Sequence, residues 1–395
     1  MANNNNKDKC NVPHLRFPEF KGEWEKCTLN EVSYFIKERI NTDELTIANY
    51  ISTENMKSDL GGVDTATAIP ECANVIRYKN GDILLSNIRP YLKKVWAANT
   101  DGGCSADVFV FRANKISSSF LYYVMANDSF INYVMSGAKG VKMPRGDKEQ
   151  ILKYSFSIPT TKEQNKISRM LSLLDERIST QNKIIEDLKK LKSAIVDFTF
   201  TNDTKHDRKR IILSDISIKI TRRNAENRIG YVLSNSANHG VIPQSEVFDR
   251  EIANEDNTSN YFVISNNDFV YNPRKSAIAP YGPINKYDGE TEGVISPLYL
   301  CFKAHDVDID YLAWYFKSCL WYEYVYKNGD SGVRHDRVSI KDDIFFSMPL
   351  YIHNTFEQRK IVHRMNWIEQ FVRREERYLT LLHAQKSYLL QQMFI

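Results

Sequence analysis

The sequence predicts an α+β protein in which two similar halves each combine a mixed α/β domain with a long helix. Three observations support this fold class: an internal repeat, short β-rich runs between turn-forming residues, and two long stretches with apolar residues about every 3.5 positions. The chain has 395 residues, enough for two or three domains of roughly 150 residues.

The internal repeat places the same short segments in the same order in both halves. The offset between matching residues is 184 at Leu29 and Leu213, and 194 at Phe200 and Phe394, as small loop insertions would produce. The matching segments are 29–32 with 213–216, 81–84 with 267–270, 87–89 with 272–274, 140–145 with 332–337, 157–159 with 347–349, and 161–167 with 355–361. An ordered series of this kind indicates a duplication.

The first part of each half has the pattern of a twisted, mostly antiparallel sheet. Apolar, β-branched and aromatic runs stand between Gly, Pro and Asn clusters, as strands do between turns. The clearest runs are 82–86, 107–111, 268–271 and 298–302. Residues 119–135 and 310–326 are rich in aromatic residues and are predicted to be helical.

Each half then ends in a long stretch with a helical apolar stripe. Thr161 is the predicted N-cap of the first helix, and Gln181 and Glu375 interrupt the two stripes. The stripe residues are Ile167, Leu171, Leu174, Ile178, Ile185, Leu188, Leu191 and Ile195 in the first helix, and Ile361, Met365, Ile368, Val372, Leu379, Leu382, Leu389 and Met393 in the second. This period is typical of coiled coils. We expect the two helices to pack antiparallel and hold the two domains apart; the alternative is that each helix lies on its own domain.

The predicted division of the chain follows from the repeat. It comprises a disordered leader over 1–12, a first domain over 13–160, a first helix over 161–204, a second domain over 205–353 and a second helix over 354–395. A helix of about 40 residues is about 60 Å long.

Composition excludes several classes of protein. The net charge is only +4, which argues against a uniformly basic DNA coat but not against clustered basic groups. Apolar runs reach only about six residues, far below the ~18 that span a bilayer, so no membrane partner is expected. The cysteines and histidines are scattered without metal-binding or disulfide spacing, which predicts no metal site and a reducing cytoplasm.

The common catalytic motifs are absent from the sequence. It has no phosphate-binding loop, dinucleotide or S-adenosylmethionine loop, zinc-protease motif or serine-hydrolase elbow. The segment from Asn272 to Lys275 begins like the Asn-Pro-Pro-Tyr motif of amino-methyltransferases but lacks its second Pro and its aromatic residue. Together these absences favour a non-catalytic protein.

Basic residues interleaved with aromatic and small residues are the candidate DNA-contacting groups. Arg can pair with guanine and Asn with adenine in the major groove, while Lys holds phosphates. The candidates are Asn87, Arg89, Tyr91, Lys93, Lys94, Lys139, Lys142 and Arg145 in the first half, and Asn272, Arg274, Lys275, Tyr281, Arg334, His335 and Arg337 in the second. The alternative is solvated turns. Loops 91–104 and 276–293 do not align, which suits two modules with different targets.

The chain strongly resembles the specificity subunits of type I restriction–modification systems. The resemblance is carried by residues 12–24, by the Ile-Pro and Met-Pro segments, by the Glu-Gln helix entries, and by the Lys-Ser pairs followed by Phe200 and Phe394. It implies two target recognition domains, each binding one half of an asymmetric bipartite DNA site. It also implies helices that set the spacer and dock two methyltransferase (modification) subunits in a bacterial cytoplasm.

The resemblance also assigns the chemistry to other chains. The modification subunits would carry S-adenosylmethionine and methylate adenine N6, and restriction subunits would supply ATP-dependent, Mg-dependent translocation and cleavage. No cofactor is expected on this chain. Two alternatives remain open: a stand-alone DNA methyltransferase or nuclease with an unrecognised site, and a coiled-coil interaction protein without a DNA role.

Overall fold

The structure is a computed structural model that describes residues 11–201, 208–247, 258–330 and 336–395. It divides into two compact units. Unit 1 comprises the chain up to Asn182 together with Tyr378–Ile395, and unit 2 comprises Lys183–Arg377. The predicted α+β fold class is confirmed. The division also shows that each unit contains a segment of both long helices.

Unit 1 contains a two-stranded and two four-stranded sheets. Its strands are β1 Glu25–Thr28, β2 Ser33–Phe35, β3 Arg39–Asn41, β4 Tyr50–Ile51, β5 Asn74–Tyr78, β6 Ile83–Ser86, β7 Val95–Ala97, β8 Gly102–Cys104, β9 Val108–Ala113 and β10 Ser155–Ile158. Strand β1 pairs with β10, and the larger sheets have the orders β2-β9-β6-β7 and β3-β5-β8-β4. All pairs are antiparallel except β4 with β8.

Unit 2 repeats this plan. Its strands are β11 Arg208–Ile212, β12 Ser217–Lys219, β13 Val232–Ser236, β14 Gly240–Pro243, β15 Phe262–Ile264, β16 Asp268–Tyr271, β17 Ile284–Lys286, β18 Gly293–Ile295, β19 Leu300–Ala304 and β20 Pro349–His353. Strand β11 pairs with β20, and the larger sheets have the orders β12-β19-β16-β17 and β14-β13-β18-β15. Again a single pair, β13 with β18, is parallel.

The sheet that contains β6 and β9 in unit 1 matches the sheet that contains β16 and β19 in unit 2. Ile83 lies opposite Phe111, and Phe269 lies opposite Phe302. The other large sheets differ. The outer strand β3 extends the edge beside β5, whereas β14 extends the opposite edge, beside the parallel strand β13. The repeat therefore keeps one sheet and rearranges the other.

The short helices are α1 Leu29–Val32, α2 Ser118–Ala126, α3 Asp128–Ser136, α4 Lys148–Leu152, α6 Gln244–Val247, α7 Ile309–Tyr315, α8 Tyr322–Asn328 and α9 Asp342–Phe346. The predicted helical stretches 119–135 and 310–326 each contain two short helices. In the first segment Asn127 ends α2, and its side chain accepts a hydrogen bond from Ser129 N (2.9 Å) to cap α3. In the second, a turn containing Ser318 separates α7 from α8, and its hydroxyl donates to Tyr315 O (2.6 Å).

The long helices are α5 Thr161–Thr201 and α10 Thr355–Met393. Thr161 is the first helical residue and Gln164 N donates to Thr160 O, so the helix begins one residue earlier than an N-cap at Thr161 predicts. At the equivalent end of α10, the Asn354 side chain accepts from Glu357 N (3.0 Å). The predicted leader lies largely outside the described residues, but Asn11 is bonded, because its carbonyl accepts from Trp24 N (2.8 Å).

In unit 1, the start of α5 packs antiparallel to the end of α10. Ile167 and Leu171 are buried in the core of the unit with Leu390 and Met393. Further along, Leu174, Ile178 and Leu382 form a small cluster with the half-buried Leu379. Lys386 Nζ lies 2.6 Å from Asp175 Oδ1 beside it.

In unit 2, the end of α5 packs antiparallel to the start of α10. Val196, Phe200, Ile361 and Met365 join the core of the unit. Other stripe residues are Ile185 and Val372, which are buried, and Leu188, Ile195 and Ile368, which are half-buried. Two ion pairs bridge the helices, Lys192–Glu369 (2.8 Å) and Lys189–Glu376 (2.6 Å).

The predicted packing position of Leu191 is wrong, because this side chain is 55% exposed. Beyond Leu188 the covered face advances in steps of four, through Lys192 and Val196 to Phe200. A straight α-helix drifts away from a strict seven-residue repeat. Here the drift turns Val196 and Phe200 toward the core of unit 2.

Candidate nucleic-acid interface

In unit 1, the chain leaving β6 is tied to the loop before α4. Gly146 N donates to Asn87 O (3.2 Å), and Arg89 N donates to Pro144 O (2.8 Å). Arg89 has a positive φ of 51°, a strained conformation for a residue with a Cβ. These bonds bring together two basic segments that lie far apart in the sequence.

Unit 2 contains the same pair of backbone bonds after β16. Val338 N donates to Pro273 O (3.0 Å), and Lys275 N donates to Asp336 O (2.9 Å). Arg89 therefore corresponds to Lys275, and the sequence alignment of 87–89 with 272–274 is wrong by one residue. Asn87 N donates to Asp107 O, a bond that its true equivalent Pro273 cannot make because Pro has no N–H. The sequence alignment matched identical Asn and Arg side chains, whereas the backbone hydrogen bonds give the structural correspondence.

The basic side chains near these two bonded segments of unit 1 differ in whether they form ion pairs. Arg89 and Lys142 are exposed. Arg145 Nη1 lies 3.0 Å from Asp107 Oδ1, and Lys139 Nζ lies 2.7 Å from Asp147 Oδ2. The hydrogen bond between Lys139 and Asp147 raises the pKa of the lysine and lowers that of the aspartate, so both stay charged near neutral pH.

A loop between Lys139 and Arg145 extends from the bonded segments of unit 1. Lys139 and Arg145 exchange both backbone hydrogen bonds (2.9 Å each), which closes the loop between them. At its tip Val141 is fully exposed and Met143 is 47% exposed. An apolar tip flanked by cations is suited to contact with a base edge between two phosphate backbones.

The two bonded segments of unit 1 border an open crevice of about 600 Å³. Asn87, Phe109, Lys139 and Arg145 line it together with residues 146–149. The side-chain oxygen of Asn87 is buried and has no hydrogen-bond partner among the described residues. Buried polar atoms are normally bonded, so this unpaired oxygen beside the crevice is unusual.

The corresponding crevice in unit 2 has a volume of about 290 Å³. Asn272, Arg274 and Arg337 line it, joined by Leu298, Tyr299 and other residues. Asn272, which precedes the equivalent of Asn87, is bonded internally: its Oδ1 accepts from Arg274 N (3.0 Å) and its Nδ2 donates to Asn235 O (2.9 Å). Arg274 and Arg337 are the charged groups among the described residues that line this crevice.

Several predicted DNA-contacting residues lie elsewhere or have other partners. Lys94 Nζ donates to Thr53 O (2.6 Å), and Lys93 pairs with Asp128. Tyr281 packs against the core beside Tyr322, with ring centroids 5.1 Å apart. Tyr91 is 49% exposed on the short 3₁₀ turn after Arg89. Arg334 and His335 lie outside the described residues.

Two residues at these crevices were missed from the sequence, Asp107 in unit 1 and Leu298 in unit 2. They are equivalent, because residues 102–113 align with 293–304 without a gap. The strand register agrees, with Leu85 opposite Phe109 and Tyr271 opposite Leu300. One position is acidic and the other apolar, so neither belongs to the basic pattern, although the ungapped alignment makes them equivalent.

Among the described residues, no group of three or more His, Cys, Asp or Glu side chains is arranged to hold a metal ion. None of the helices in this part of the chain has the length and apolar character that crossing a membrane requires.

Comparison with known proteins connects this geometry to a family. The family model for the type I restriction modification DNA specificity domain matches residues 21–190, which include the crevice of unit 1 and most of α5. A specificity subunit of the Escherichia coli type I restriction enzyme EcoDI is 29% identical over 110 residues. Over these residues the chain is similar to type I specificity subunits. The resemblance predicted from the sequence is confirmed.

A second specificity subunit, of the enzyme MjaVIII from Methanocaldococcus jannaschii, is 24% identical over 204 residues. These two alignments cover 28% and 47% of this chain, and 24% and 43% of the respective relatives. The chain therefore aligns with less than half the length of either specificity subunit.

Solved structures extend the likeness in fold to nearly the whole chain. A chain from a study of complex assembly and conformational transition in the type I restriction–modification system has a TM-score of 0.58 and 18% identity, covering 94% of this chain and 97% of that one. The type I specificity subunit of M. genitalium gives a TM-score of 0.53 at 14% identity, with coverage of 97% and 99%. At these identities the likeness establishes the shared fold.

Proposed function

We propose that this chain is the non-catalytic DNA-specificity subunit of a type I restriction–modification complex. Each unit recognises one half of an asymmetric bipartite site on double-stranded DNA. The observation that carries the proposal is the recurrence, in both units, of the same cross-bonded basic segments beside a crevice. A frame repeated with different side chains suits two modules that recognise different sequences.

The described side chains suit two kinds of DNA contact, one with bases and one with phosphates. Arg145 and Arg337 occupy equivalent positions, and an arginine fork matches the O6 and N7 acceptors of guanine. Arg89 and Lys142 in unit 1 suit phosphates, which position a protein on DNA without selecting sequence. The net charge of +4 is compatible with this division, because DNA contact needs only local groups of cations.

The two long helices set the spacing between half-sites and dock two modification subunits. Those subunits supply S-adenosylmethionine-dependent methylation of adenine N6, and restriction subunits add ATP- and Mg-dependent translocation and cleavage. The complex acts in the bacterial cytoplasm. Exposed apolar residues on the helices, such as Leu191, Trp367 and Leu381, are available for such protein contacts.

The test is binding by the full chain in complex with its modification subunits, measured on DNA whose two half-sites are varied separately. Arg145→Ala is expected to weaken binding to one half-site, and Arg337→Ala to the other, each by about 1–3 kcal/mol. Loss of equal size at both half-sites for either variant would mean that the arginine contacts phosphate only. Ile218→Ala, an exposed substitution on β12, is the matched control.

The role of the helices is tested separately. Inserting four residues, about one helical turn, beside the buried Gln181 is expected to change the preferred spacer between the half-sites. An unchanged spacer would contradict the role of the helices in setting the spacing, while leaving the recognition role of the two units intact. Purified chain alone is expected not to bind S-adenosylmethionine, and binding would favour a stand-alone methyltransferase.

A further inference from the structure

The equivalent positions 107 and 298 place opposite chemistry beside equivalent arginines. In unit 1, Asp107 is half-exposed and holds Arg145 at 3.0 Å. In unit 2, the same position is Leu298, whose side chain is 64% exposed and lines the crevice with Arg274 and Arg337. Among the described residues, the acid that lies near Arg337 is its sequence neighbour Asp336, at 3.8 Å.

An exposed leucine in this position is not required by the fold of unit 2. The backbone of the loop is fixed independently, since Tyr299 N donates to Ser296 O (3.1 Å) and Leu298 N to Ser296 Oγ (3.3 Å). The strand that follows has its own buried residues, Leu300, Cys301 and Phe302. A side chain with hydrocarbon facing solvent gains free energy only when a partner covers it.

The surroundings of Leu298 indicate what that partner is. The exposed Arg274 and the half-buried Arg337 border the same crevice, which therefore suits an occupant that is negatively charged at its edges and apolar where it meets the leucine. The major groove of DNA presents this combination at a thymine, whose 5-methyl group lies between the phosphate backbones. Aliphatic side chains are common contacts of that methyl group.

We propose that Leu298 contacts the 5-methyl group of a thymine in the half-site recognised by unit 2. This inference rests on the proposed function and deepens it by naming a specificity-determining residue and its chemical target. In unit 1, Asp107 instead orients Arg145 and leaves that crevice with no aliphatic group at this position. The two half-sites therefore differ in their dependence on a thymine methyl at this point.

The experiment compares thymine with deoxyuridine, which lacks only the methyl group. The half-site of unit 2 is first assigned with Arg337→Ala, and each of its thymines is then replaced singly by deoxyuridine. Burial of one methyl-sized group corresponds to about a fourfold change in affinity. Wild-type complex is expected to lose about fourfold at one thymine, and Leu298→Ala is expected to bind both DNAs equally.

The matched control is Ile218→Ala, because Ile218 has nearly the same exposure, 65%, in the same unit but is not among the described residues that line the crevice. It should retain the fourfold difference. A half-site without a sensitive thymine, or a difference that survives in Leu298→Ala, would overturn the inference. So would a Leu298→Ala defect confined to assembly with the modification subunits, which would make the leucine a protein contact.

The outcomes also separate this inference from the proposed function. If wild-type complex binds the mapped site no better than a scrambled sequence, the proposed function is wrong and the inference falls with it. If specific binding is intact and only the deoxyuridine effect is missing, the inference alone is wrong.

Discussion

The two units share a backbone arrangement but differ in the partners of their equivalent side chains. Unit 1 pairs its buried Asp82 with Arg112 through two 2.7 Å bonds and its crevice Arg145 with Asp107. In unit 2 the equivalents are Asp268 with the exposed Lys303, and Arg337 with Leu298. The duplication has therefore preserved backbone register while changing charge pairing, which is how one scaffold can acquire two specificities.

The largest expected difference concerns the helix ends inserted into each core. Phe200 is fully buried among Tyr311, Tyr315 and His353, whereas its equivalent Phe394 is only half-buried against Phe120. Removing a buried phenyl ring costs about 3–5 kcal/mol. Phe200→Ala should destabilise unit 2 by that amount, and Phe394→Ala should destabilise unit 1 by less.

Hydrogen exchange measured strand by strand distinguishes the two units. Phe200→Ala is expected to reduce protection in β16 and β19, and Phe394→Ala in β6 and β9. Equal loss in both units from either variant would contradict the idea that each core depends on its own inserted phenylalanine.

The next prediction contrasts the two buried aspartates. Asp82→Asn leaves Arg112 without its charged partner, and we expect a loss of about 2–3 kcal/mol, below the roughly 3–5 for fully buried pairs because Arg112 is partly exposed. Asp268→Asn retains an acceptor for Ser265 N and should be neutral or stabilising at pH 7. Denaturant unfolding of both variants measures the contrast.

The pH dependence gives the sign for Asp268. Burial raises the pKa of its carboxyl, so the folded state binds that proton more tightly than the unfolded chain does. Below the unfolded value both states are protonated and ionisation imposes no penalty. As pH rises through the folded pKa, the wild type loses stability that Asp268→Asn keeps. A variant that is less stable than wild type above this range would contradict the assignment.

A smaller effect is expected from exchanging the crevice residues. Asp107→Leu frees Arg145 from its partner and should weaken discrimination at the unit 1 half-site by about 1 kcal/mol, the lower end of the range for one base contact. Leu298→Asp gives unit 2 the acid of unit 1 and should move its preference away from thymine. Selection of bound DNA from a randomised half-site measures both; unchanged preferences would show that this position does not select bases.

The smallest effects are expected between the helices. Lys189 and Glu376 are each about half-exposed, whereas Lys192 and Glu369 are each 26% exposed. Exposed pairs contribute about 0.2–1 kcal/mol, so Glu376→Gln should have less effect on unfolding than Glu369→Gln. The reverse order would mean that exposure does not govern these pairs.

The sequence predicted the repeat, the fold class and both long helices because these depend on periodic patterns and on ordered matches. It found basic segments at equivalent places in both halves but did not predict that folding joins the two segments of each half. It also misaligned Arg89 with Arg274, because side-chain similarity concealed the backbone shift at Pro273. Helix breaks at Asn127 and Ser318 depend on caps formed within the fold. Asp107 and Leu298 were missed because their importance depends on the arginines that folding brings beside them.

Base-resolution mapping of adenine methylation tests the central claim most directly, in cells that express this chain with its modification subunits. The account predicts a bipartite, asymmetric motif, with Arg145→Ala relaxing one half and Arg337→Ala relaxing the other. A single continuous motif, or relaxation of both halves by either substitution, would contradict it.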